Sequence, residues 1–194
     1  MREINAQDIT AVVKKLCMEA NYFLPEDIQD KICKACDNEP WPLAQSILGV
    51  IKENYEISLD KAVPICQDTG MACVFLDVGQ DVHVNGNIED AVNEGVRQGY
   101  VEGCLRKSVV KDPLDRVNTK DNTPAMIYYN IVPGDTFDIM VAPKGFGSEN
   151  MSKIKMFTPS ASVDDIVNFV VDVVKEADSN PCPPVVLGVG IGSD

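Results

Sequence analysis

The hydrophobic pattern of this chain changes period near residue 63, and that change dictates its fold class. Before it, apolar residues recur at helical spacing: Ile9, Val12, Val13, Leu16, Cys17 and Ala20 share one face of "DITAVVKKLCMEA". Pro25 opens a second helix with Ile28, Ile32 and Cys36 on one side. Pro42 starts a third, with Leu43, Ile47, Leu48 and Ile51 inward. After residue 63 the runs shorten, and "MACVFLDVG" (71–79) reads as a buried strand closed by glycine.

"NIEDAVNEGVRQGYVEGCLRKS" returns to helical spacing, with Gly95, Gly99 and Gly103 among its apolar positions. Each glycine costs a helix about 1 kcal/mol relative to alanine, so their presence points to close packing or a nearby ligand. Residues 125–132 and 135–142 are strand candidates joined by Pro133-Gly134, a hairpin signal. Residues 143–157 read as a glycine- and lysine-rich loop. Residues 162–177 form a helix capped by Ser162 and Asp165, with Val163, Ile166, Val167, Val170, Val171 and Val174 as its buried stripe. "PVVLGVGIG" (184–192) reads as a last buried strand. The expectation is an α/β protein: a helical layer over 1–62, then a mixed β-sheet flanked by helices over 63–194. An α/β chain turns into a further helix after such a strand, so the pattern predicts more sequence beyond Asp194.

Composition narrows the function. Of 194 residues, 45% are hydrophobic and 24% charged, ordinary values for a globular protein with a real core. No apolar run of about 18 residues and no secretory h-region occur, so neither a membrane nor export is expected, and the chain is read as cytoplasmic. A net charge of −13 opposes nucleic-acid binding, which needs clustered cations. A small anion is still compatible, because a few convergent basic groups in a cleft outweigh a surface field screened over about 8–10 Å. Seven cysteines, an odd count, argue against a disulfide framework, and the single histidine, His83, excludes His-rich metal sites.

Two thiols stand in loops that enter apolar strands. Cys66 lies on the turn "CQDTG" beside Asp68, and Cys182 lies in "NPCPP" between backbone-fixing prolines. A loop thiol so held suits a metal, which binds the thiolate; equally, cysteine is a small core residue. "CKAC" (33–36) has metal-site spacing but sits on a helix with no second pair, and reads as structural. Cys17, Cys73 and Cys104 fall in apolar stripes and read as core. Arg106, Lys107 and Lys111 end a helix, where arginine grips a carboxylate with paired hydrogen bonds or merely complements the helix dipole. "KGFGSEN" offers Lys144 and backbone N–H groups as an anion nest, without a phosphate-loop motif.

Together, "ICQDTGMACVF", "RKSVVKDPLDRVNTKDNTPA", "PKGFGSENMS" and "NPCPPVVLGVGIG" resemble the signature blocks of class I fumarate hydratases and the related L-tartrate dehydratases. The resemblance covers nearly the whole chain and matches the N-terminal domain, or α subunit, of two-subunit forms. It implies a [4Fe–4S] cluster held by three cysteines with one iron open. Cys66 and Cys182 match two of the ligands, and the third is expected beyond Asp194; the family also continues "GIGG" where this chain has "GIGSD". It implies that Gln67 and Asp68 contact substrate, with Asp68 an acid/base partner. Arg106 clamps the far carboxylate, and Gly145 and Gly147 approach by backbone. A β subunit or C-terminal domain supplies the rest. The reaction implied is reversible dehydration of a small 2-hydroxy dicarboxylate, malate to fumarate in the tricarboxylic acid cycle first. The alternatives are L-tartrate, a methylated fumarate, or a non-catalytic partner-binding role. A homo- or hetero-oligomer is expected, and the isolated chain is expected to be inactive.

Overall fold

The computed structural model describes residues 1–182 and 185–192. The chain folds into two compact units, 1–145 and 146–194. The expected class holds: helices with a mixed sheet. The first unit contains β1 (Arg2–Asn5), α1 (Ala6–Tyr22), α2 (Glu26–Asn38), α3 (Pro42–Lys61), β2 (Met71–Gly79), β3 (Val82–Asn85), α4 (Ile88–Glu102), β4 (Met126–Val132) and β5 (Phe137–Lys144). Helical spacing did not reveal β1, which pairs in parallel with β3, Ile4 opposite Val84.

Strand β2 is the centre of a three-stranded sheet ordered β4-β2-β5, parallel to β4 and antiparallel to β5. Its residues alternate as a strand with one buried face must: Ala72, Val74 and Leu76 are buried, while Phe75 on the other face stacks on Tyr128 of β4, ring centroids 4.9 Å apart. The Pro133-Gly134 turn therefore does not close a hairpin. With β2 between them, β4 and β5 are two strand spacings apart, roughly 9.6 Å. The connection passes across the end of β2, where it accepts Gly79 N–H at Thr136 O (2.8 Å), Gln80 N–H at Val132 O (2.9 Å) and Asp81 N–H at Gly134 O (2.9 Å). A turn signal sets where a chain reverses; it does not set which strand lies alongside.

Helices α1 and α4 cover the inner sheet face. Ile9, Val13 and Cys17 of α1 meet Val92, Val96 and Tyr100 of α4 and Val74 and Leu76 of β2 in one core. The glycines of α4 let the helices approach: a Cβ on Gly95 would lie 2.7 Å from Thr10 O, and one on Gly99 2.8 Å from the Cys17 Cβ. Close packing, one of the two readings of those glycines, is thus their use at 95 and 99. Thr10 Oγ1 donates to Ala91 O at 2.9 Å and Lys14 pairs with Glu102 at 2.6 Å, fixing the register.

On the outer face of α4, hydrogen bonds from Arg97 and then Gln98 hold the Glu94 carboxyl down at about 2, from an ordinary value of 4.5. A carboxylate lowered on folding adds stability fully above its unfolded pKa, and that contribution fades as pH falls through the folded value. Carbon-detected NMR titration should find Glu94 near the bottom of the carboxylate range. Arg97→Ala should return it towards 4.5; an unchanged midpoint in the variant would remove the arginine as cause.

Two expectations of burial fail. Leu43 and Ile47 of α3, assigned inward, are 55% and 52% exposed, because α3 packs on α2 through Tyr55, whose hydroxyl meets Cys33 Sγ at 3.4 Å. In the second unit, α5 (Phe146–Glu149) precedes α6 (Val163–Ala177), capped as expected by reciprocal Ser162–Asp165 bonds. Phe169 of α6 packs edge-on against Phe157, with Lys155 Nζ 4.8 Å from the Phe157 ring centre. That contact turns Val163, Val167, Val171 and Val174 outward, contrary to the expected stripe. Residues 185–192 form no strand and are exposed, so the expected last strand is absent there; its first residue, Pro184, lies outside the described residues. No helix among the described residues is long and apolar enough to cross a membrane.

Candidate active site

Two irregular segments, 63–70 before β2 and 103–125 after α4, build one cavity of about 470 Å³. Its wall includes Asn54, Cys66, Gln67, Thr69, Cys104 and Arg106. Segment 103–125 bonds partly to itself, through the Val110–Asn118 bridge, and neighbouring elements supply further partners to both segments. Ile65 N–H donates to Asn21 O at 3.0 Å, and Tyr22 Oη donates to Gly103 O at 2.7 Å, so the last turn of α1 holds both segments. Thr69 Oγ1 accepts Arg106 N–H at 2.9 Å, and Thr69 O accepts the Tyr100 hydroxyl at 2.8 Å. Burial pushes the Tyr100 phenol well above its ordinary pKa, which keeps it a neutral donor.

Asn122 is the clasp. Fully buried, it accepts Ser108 N–H at 2.7 Å and Val109 N–H at 3.1 Å, and donates to Gly70 O at 3.0 Å. Gly70 has a left-handed backbone, φ +60, and a Cβ there would stand 2.2 Å from Lys144 O. The end of β5 therefore sits directly on the turn that carries Cys66 and Asp68.

Within that turn, Asp68 N–H points at Cys66 Sγ (3.4 Å), Gly70 N–H donates to Asp68 Oδ1 (3.1 Å), and the Cys66 thiol donates to Gln67 Oε1 (3.3 Å). Cys66 stands at the cavity wall, and no three His, Cys, Asp or Glu side chains among the described residues converge as a metal site.

Of the residues singled out from sequence, Cys66, Gln67 and Arg106 share this cavity, with Asp68 on the same turn and Gly145 following Lys144 beside Gly70. Gly147 and Cys182 belong to the second unit, where both are exposed. Cys104 is exposed on the cavity wall rather than in the core, because α4 ends at Glu102 and the backbone turns left-handed at Cys104, φ +53. Thr69, Tyr100 and Asn122 escaped notice as site residues. They act through backbone contacts; the "DTG" and "DNTP" turn patterns hinted at Thr69 and Asn122, and nothing hinted at Tyr100 on α4.

The thiols divide by reactivity. Burial pushes the Cys17 thiol up to about 12, whereas Cys104 is exposed. Brief alkylation of the native chain at mildly alkaline pH should label Cys104 and spare Cys17, read by peptide mass; early labelling of Cys17 would contradict the α1–α4 packing.

A mixed α/β chain thus brings a thiol, an amide and a guanidinium to one cavity. Residues 10–194 match the family described as fumarate hydratase (fumerase), and the chain belongs to that family. It is 39% identical to the putative L(+)-tartrate dehydratase subunit alpha of Methanocaldococcus jannaschii, a match over 95% of this chain and 67% of that protein. It is 30% identical to the L(+)-tartrate dehydratase subunit alpha of Escherichia coli (strain UTI89 / UPEC), over 100% of this chain and 66% of that protein. The chain spans about two thirds of the length of these relatives.

Proposed function

We propose that this chain is the α part of an iron–sulfur hydro-lyase that reversibly removes water from a small 2-hydroxy dicarboxylate. The observation that carries the reading is the sharing of one cavity by Cys66, Gln67 and Arg106, with Asp68 on the same turn. Cys66 and Cys182 would hold a [4Fe–4S] cluster, together with a third thiolate from outside these 194 residues. When bound, its open iron supplies Lewis acidity towards a hydroxyl and carboxylate.

The chain's own residues have separate tasks. Arg106 offers two parallel N–H donors to the distal carboxylate and so fixes which end of the diacid lies deep. Gln67 orients a polar substrate group in the same cavity. Asp68, steadied by the Gly70 N–H, is a fixed carboxylate oxygen that accepts or returns a proton at the reacting carbons. A β subunit or C-terminal domain completes the site.

L-Malate and L-tartrate share the groups these residues recognise. The signature blocks put malate first, while the relatives' names speak for tartrate. The test is anaerobic co-expression with a β-type partner, iron analysis, and assay of both diacids. Iron-loaded complex should dehydrate at least one of them, and Cys66→Ser should lose iron and turnover together. Arg106→Leu should lower kcat/KM by about tenfold to a hundredfold, as loss of a charged hydrogen-bonding clamp implies. Inactivity on both diacids, with Cys66→Ser retaining full iron, would overturn the proposal.

A further inference from the structure

Cys66 and Cys104 line the same cavity from two different segments. Those segments run side by side in the same direction. At one end Asn21 and Tyr22, adjacent on α1, bind Ile65 and Gly103. At the other end Thr69 binds Arg106 through Oγ1, at 2.9 Å to the N–H and 3.3 Å to the carbonyl. Each cysteine follows the first anchor by one residue. Neither lies in a helix or strand, and Cys104 is exposed. The other described thiols of this unit are placed elsewhere: Cys17 is buried, Cys33 meets Tyr55, Cys36 points at Gln45 O and Cys73 lies on β2.

We propose that Cys66 and Cys104 are a redox pair that closes into a disulfide across the cavity whenever Cys66 carries no metal. The oxidant is a low-molecular-weight disulfide. The Cys104 thiolate attacks one of its sulfurs, forming a mixed disulfide and expelling one thiolate. The Cys66 thiolate then attacks the Cys104 sulfur, forming the S–S bond and expelling the second. Two protein thiols are oxidised, one small disulfide is reduced to two thiols, and the two cysteine protons end on them. Closure brings the two α-carbons to the roughly 4.4–6.8 Å a disulfide needs. It masks Cys66 from further oxidation and from metal. The pairing rests on the shared cavity and its two anchors, and only the condition that Cys66 carries no metal rests on the hydro-lyase reading.

The test uses the metal-free 194-residue chain, incubated anaerobically with oxidised glutathione, digested with trypsin without reduction and analysed by mass. The expected product is peptide 62–97 linked to peptide 98–106, lost on reduction. Because 62–97 also holds Cys73, the link should persist in Cys73→Ser and vanish in Cys66→Ser and in Cys104→Ser. Singly glutathionylated Cys66 and Cys104 without the link, or a link that survives Cys66→Ser, would overturn the proposal. Iron binding lost in Cys66→Ser and kept in Cys104→Ser would leave the hydro-lyase reading standing whichever way the cross-link falls.

Discussion

Asn122→Ala is expected to lower unfolding stability by about 3–5 kcal/mol, among the largest effects available to one polar side chain. The substitution strands two buried N–H groups, on Ser108 and Val109, and the Gly70 carbonyl. Each orphaned group costs about 1–3 kcal/mol, and partial water entry keeps the total below their sum. Asn122 also has φ 65, a left-handed backbone that alanine adopts at a cost of roughly 1–2 kcal/mol. Urea unfolding measures the loss. Asn122→Asp keeps both accepting contacts and loses the donor to Gly70, so it should fall between the two. A midpoint unchanged by Asn122→Ala would mean the clasp contributes nothing. The functional consequence is local: the segment carrying Arg106 keeps only the Thr69 bonds as its tether to the turn carrying Cys66.

Gly70→Ala should be comparably severe, for a steric reason. Its Cβ would lie 2.2 Å from Lys144 O and 2.3 Å from Lys144 C, both backbone atoms that no rotamer change can move. The left-handed φ adds about 1–2 kcal/mol. Either β5 releases its last residues from β2 or the turn carrying Asp68 shifts outward. We expect a loss of at least about 3 kcal/mol and faster hydrogen exchange at the Met71 end of β2. Gly49→Ala is the control. Gly49 lies inside α3 with nothing within 4 Å of its missing Cβ, so alanine there should stabilise by about 0.5–1 kcal/mol. Equal effects at the two glycines would refute the packing argument.

Local chemistry explains what was legible in the sequence. Strand β2 has the 71–79 bounds that its apolar run and closing glycine predict, and the Ser162 capping box falls on its helix. Both signals are complete within a few residues. The misreadings concern partners. Pro133-Gly134 is a turn, but nothing nearby in sequence says that β2 separates the strands it joins. Leu43 and Val167 sit on helical stripes, yet a stripe shows only that a helix has an apolar face, not that this face meets another element. The thiol and guanidinium of the cavity were visible because reactive side chains announce themselves. Asn122 and Thr69 were not, since their work is to satisfy backbone groups brought close only by the fold.

The central position of β2 also bears on how the chain is made. Its two neighbours begin at Met126 and Phe137, long after Gly79 has been added. A ribosome adding about 5–20 residues per second takes roughly 3–13 s to travel from the end of β2 to Lys144, the end of β5. Until β4 has been added β2 has neither edge paired, and until Lys144 one edge stays open, although α1 and later α4 can already cover Val74 and Leu76. A nascent chain in this state offers an apolar strand with open backbone to chaperones or to other copies. Yield from rapid expression should therefore depend on the passage through residues 80–144 more than on the stability of the finished fold.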